Sequence, residues 1–86
     1  MGDTEKMITP EEAEELAIKH IQEYVNSCRC QSVNDVGNAL LKMLSVTGQA
    51  IVATQGQAVA VAMVEGTARH LAKPKFSQRY NTAAVN

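Results

Sequence analysis

Between Met43 and Val64 the chain runs for 22 residues without one Asp, Glu, Lys or Arg, and no other feature narrows its possible folds as much. A run this long without charge belongs in a protein interior, at an interface or in a bilayer. It is long enough to span a membrane, and Ala58, Ala62 and Gly66 form a row of small residues suited to close helix packing. Against a span stand Ser45, Thr47, Gln49, Thr54, Gln55 and Gln57, which would place polar side chains in hydrocarbon. The same small-residue row permits tight packing in water.

Three conformations compete for this stretch. Val59, Val61 and Met63 alternate with Ala58, Ala60 and Ala62, as in a strand, and Ile51 to Thr54 with a Gln-Gly turn would complete a hairpin. Alanine, however, is a poor strand former and the best helix former. A continuous helix from Val33 to Ala72 would have to tolerate Gly48, Gly56 and Gly66 at about 1 kcal/mol each, and would force a long coiled dimer. The reading preferred here ends one helix near Thr54-Gln55, uses Gly56 as a left-handed C-cap, and returns a third helix along the second.

Flanking signals fix the rest. Thr9-Pro10-Glu11-Glu12 places a hydroxyl at the N-cap, proline at the first helical position and a glutamate able to reach back to the cap N–H. Ala13, Leu16, Ala17, His20, Ile21, Tyr24 and Cys28 then recur at three- and four-residue spacing. Ser32-Val33-Asn34-Asp35 repeats the capping pattern with Asp for Glu, and Val33, Val36, Leu40, Met43, Leu44, Thr47 and Ile51 form a wide stripe behind it. Lys73-Pro74 stops the last helix. The expected fold is all-α: a small three-helix domain with helices near 10–28, 33–53 and 57–72, a flexible leader over 1–8, a helical domain over 9–73 and a polar tail over 74–86.

The third helix carries apolar residues on two sides, Val59, Ala62 and Met63 on one and Val61, Val64 and Leu71 on the other. One side can pack on the chain's own helices, whereas the second needs another partner. This predicts a homo-oligomer, with Val59, Val61, Met63, Val64 and Leu71 as the contact residues. Composition agrees: 45% of the 86 residues are hydrophobic, yet only Tyr24, Phe76 and Tyr80 are aromatic, and a domain this small buries only about 60 to 65% of its unfolded surface.

The net charge of −1 conceals two opposed halves. Residues 1–35 hold eight acids and three bases, giving −5, and residues 36–86 hold one acid and five bases, giving +4. Opposite ends of the chain therefore attract, within or between copies. No basic segment followed by an apolar run opens the chain, so a cytoplasmic location is expected. Cys28 and Cys30 lie too close for an easy disulfide and read as reduced thiols.

Chemical signals are sparse. Cys28, Cys30, His20 and His70 could ligate zinc, but their spacing does not match a structural site, and no metal is expected. Phosphate loops, nucleophile elbows and HExxH motifs are missing, so neither a cofactor nor enzymatic activity is expected. The glutamates of the first helical turn are explained by capping and the helix dipole. Arg69, Lys73, Lys75 and Arg79, interleaved with Phe76 and Tyr80, have the cation-plus-stacking composition that binds phosphates and bases. Dipole complementarity explains the same cations.

The sequence thus favours a non-enzymatic helical interaction module, a small regulator or an inhibitor of the phage-encoded type that acts by binding a protein partner. A small-ligand, nucleotide or nucleic-acid binder using the basic C-terminal segment is the first alternative. A single-span membrane peptide is the second.

Overall fold

The structure, a computed structural model, describes residues 6–77. It divides into two compact units, Met1–Cys30 and Gln31–Asn86. All regular structure among the described residues is helical: α1 (Pro10–Ser27), α2 (Val33–Gln55), α3 (Gln57–Leu71) and a single 3-10 turn at Pro74–Phe76. The strand alternative for residues 58–64 is overturned, because Val59, Val61 and Met63 lie on α3. So is the continuous helix, since the chain breaks at Gly56.

The first unit is one helix with both ends specified. The Thr9 hydroxyl accepts from the Glu12 N–H at 3.1 Å, and the Glu12 carboxylate accepts from the Thr9 N–H at 3.0 Å. Two N–H groups with no partner inside the helix are thereby satisfied, and Pro10 supplies a preset φ at the first helical position. At the other end the Cys28 N–H reaches Tyr24 and Val25 carbonyls at 3.0 and 3.2 Å. Arg29 then turns the chain with φ 56°, a left-handed conformation that costs a residue with a Cβ about 1 to 2 kcal/mol.

The second unit is a helical hairpin. Its start follows the predicted pattern only in part: the Ser32 hydroxyl accepts from the Asp35 N–H at 3.1 Å, but the Asp35 carboxylate accepts from the Gln31 N–H at 2.9 Å. Aspartate is one methylene shorter than glutamate, and here it serves the residue before the cap rather than the cap itself.

The turn between α2 and α3 is Gly56 alone. Its N–H donates to the Val52 carbonyl at 2.9 Å, and its carbonyl accepts from the Ala60 N–H at 3.0 Å, so one residue closes one helix and opens the next. The expected left-handed C-cap is corrected in detail. Gly56 has φ 91° and ψ 159°, a positive-φ extended conformation open almost only to glycine. With this conformation the chain passes from one helix into the next through one residue.

Candidate interaction surface

The hairpin encloses very little. Ala60, 2% exposed, is the one buried residue among those described. Small side chains let the two helices meet near the turn, where Ser45, Gly48, Gln49 and Val52 of α2 face Ala60, Val61, Val64 and Glu65 of α3 across an open groove of about 330 Å³. The larger apolar side chains are covered unevenly: Leu40 and Val64 are 36% and 37% exposed, Val59 and Val61 48% and 49%, and Leu41 and Leu71 63% and 58%.

In all, ten large apolar side chains of α2 and α3 are between 36% and 63% exposed: Leu40, Leu41, Leu44, Val46, Val52, Val59, Val61, Met63, Val64 and Leu71. The five contact residues predicted from sequence are all among them. Val61 and Val64 line the groove. Val59, Met63 and Leu71 do not, and the structure therefore does not gather the five into one patch. The groove residues that sequence reasoning did not assign to a contact are Ser45, Gly48, Gln49, Val52, Ala60 and Glu65.

Helix α2 also carries a polar pattern. Asn34, Asn38, Lys42, Ser45 and Gln49 recur every three or four residues and so form one polar row. By length and composition α2 could cross a membrane, with a mean hydropathy of 1.3 over its most apolar window. The polar row sets polar side chains along that length, and two of them, Ser45 and Gln49, line the groove facing α3. The uncharged 22-residue stretch is not one span, because Gly56 divides it between two helices.

The basic segment has its own local order. The His70 and Phe76 rings meet edge to face at 5.1 Å, and the Lys75 ammonium lies 5.1 Å from the Phe76 ring centre. The 3-10 turn that follows Lys73 brings this about, closed by Phe76 and Ser77 N–H groups donating to Lys73 and Pro74 carbonyls at 3.0 Å each. Phe76 thus already has a cation and a ring as neighbours. The Arg69 guanidinium lies beside Gly66, 3.8 Å from where a Cβ would stand. Arg69 and His70 occupy the last turn of α3, where the helix dipole favours positive charge. Arg79 and Tyr80, the other two residues assigned to this segment, lie outside the described residues.

In the first unit Tyr24 is half-buried, and its phenol is held above its ordinary pKa, first by desolvation, then by a hydrogen bond with Cys28 and the proximity of the Cys28 and Cys30 thiols. Neither Cys28 nor Cys30 forms a disulfide. His20 pairs with Glu23 at 3.4 Å one turn along the helix. Among the described residues no three His, Cys, Asp or Glu side chains gather as a set of metal ligands.

No protein-family model, no curated protein and no solved structure matches this chain. The exposed apolar surface of α2 and α3 is thus the feature from which its function has to be argued.

Proposed function

We propose that the chain is a non-enzymatic helical interaction module, a small regulator or inhibitor that acts by binding a protein through the apolar surface of α2 and α3. One observation carries this reading: ten large apolar side chains on two helices are a third to two-thirds exposed while a single alanine is buried between them. Soluble proteins seldom leave so large a share of their large apolar side chains open unless part of that surface is a contact site. The absence of charge from Met43 to Val64 supports the same conclusion, since depletion of charge marks the centre of protein interfaces. The polar row of α2 favours a protein partner over a bilayer.

A dye that fluoresces on apolar surfaces tests the reading. Added to the dilute chain, it should bind, and the triple variant Leu44→Lys, Val61→Lys, Leu71→Lys should bind it several-fold less with its helix content retained. A helical chain that binds no dye at any dilution would contradict the proposal.

A further inference from the structure

We infer that the end of α3 and the turn after it form a second contact site, separate from the apolar surface, for a single strand of nucleic acid. The cations there lack internal partners. After Glu65 the sequence holds no acid and four bases, Arg69, Lys73, Lys75 and Arg79, and among the described residues no ion pair engages Arg69, Lys73 or Lys75. The helix dipole accounts for only part of this charge. Arg69 and His70 stand in the last turn of α3, where positive charge is favoured, and the effect fades beyond that turn. Lys73 and Lys75 lie past the cap at Ala72. The Ala68, Arg69 and His70 carbonyls at the helix end already accept from the Ala72 and Lys73 N–H groups at 3.2 Å, so neither lysine is needed to satisfy them.

Rings accompany the cations. The turn at Pro74–Phe76 folds Phe76 back on His70, with ring centres 5.1 Å apart, and seats the Lys75 ammonium over the Phe76 ring. Both rings stay exposed, Phe76 by 44%. A ring already held beside cations loses little freedom when a base stacks on it. The cations also form a row rather than a pocket. The Arg69 guanidinium lies back along α3 beside Gly66, Lys73 follows four residues later, and Lys75 lies across the turn. Such a row matches the repeating phosphates of a strand, whereas a single phosphate would need the charges gathered at one point. Exposed rings among the cations favour a strand with unstacked bases over a duplex or a lipid headgroup, neither of which offers an open base face.

The test is fluorescence anisotropy of a labelled oligothymidylate of about 12 nucleotides, titrated with the full chain at low salt. Binding is expected with a dissociation constant of about 1 to 100 µM, and with roughly three phosphates neutralised the affinity should fall about as the square of the salt concentration. The triple variant Arg69→Ala, Lys73→Ala, Lys75→Ala should weaken binding at least about tenfold and flatten that dependence. Phe76→Ala should weaken it at least about fivefold and leave the salt dependence unchanged, a response that a purely electrostatic patch would not give. No binding, or binding that the triple variant keeps, would overturn the inference. Inorganic polyphosphate offers phosphates without bases. Equal affinity for it, with Phe76→Ala as good as wild type, would assign the segment to anions in general and overturn the strand. Sedimentation with phosphatidylserine vesicles in place of oligonucleotide binding would overturn it too. Should a variant lose its helices by circular dichroism, the wild-type salt dependence and the polyphosphate comparison still decide. None of these outcomes bears on the apolar-surface reading, which dye binding tests at residues outside this segment.

Discussion

The two units of this chain are specified in opposite ways. Helix α1 is defined by its ends: a reciprocal cap at Thr9 and Glu12 starts it and a left-handed Arg29 stops it, and these contacts are local. Nothing on α1 is buried. The α2–α3 hairpin is defined by its turn and its faces. Helix α3 has no side-chain cap at all, and it follows α2 because Gly56 reverses the chain and because the small Ala60 is buried between the two helices. Local chemistry is enough to write a helix into a sequence. It is not enough to write a core, and the hairpin has the apolar residues of a core without the enclosure.

Substitutions that separate these modes should differ in size. The largest effect within one chain is expected at Gly56. Its φ of 91° is strained for any side chain although a Cβ there would meet nothing within 4 Å, so Gly56→Ala should cost roughly 1 to 3 kcal/mol, read as lost hydrogen-exchange protection in α2 and α3. A tolerated Gly56→Ala would show that the faces alone hold the hairpin.

Thr9→Ala removes the hydroxyl that caps α1 and should cost about 1 kcal/mol, measured as fraying of amides 11–13. No fraying would mean that α1 is held by something other than its own end. The smallest effect is a gain: Arg29→Gly relieves the left-handed strain but enlarges the freedom of the unfolded chain, for a net stabilisation below about 1 kcal/mol. A loss instead would show that the Arg29 side chain contributes more than its backbone strain costs.

What the sequence made legible follows the same division. Thr9, Glu12 and Ser32 were readable because capping needs only residue type and a spacing of three. Gly56 was readable as a break, but its φ and ψ depend on how α3 must return, which no local pattern states. Arg29 was readable as part of a short joint over residues 29–31, but its left-handed φ was not, because arginine has no preference for positive φ and is selected there by position alone. The sides of α3 were ambiguous for a physical reason. With Val59 and Met63 on one side and Val61 and Val64 on the other, periodicity cannot say which side meets α2, and the structure answers with Val61 and Val64. The cation cluster was visible in composition, yet the ring contact of His70 with Phe76 depends on a turn after Lys73 that proline marks without defining.

The central claim is that α2 and α3 leave apolar surface open to a partner. Titration of the dilute chain with a dye that fluoresces on apolar surfaces tests it most directly, because the dye reports surface that the chain's own fold does not cover. The account predicts binding by a chain whose circular dichroism is helical, reduced several-fold in the triple variant Leu44→Lys, Val61→Lys, Leu71→Lys. A helical chain that binds no dye at any dilution would contradict it.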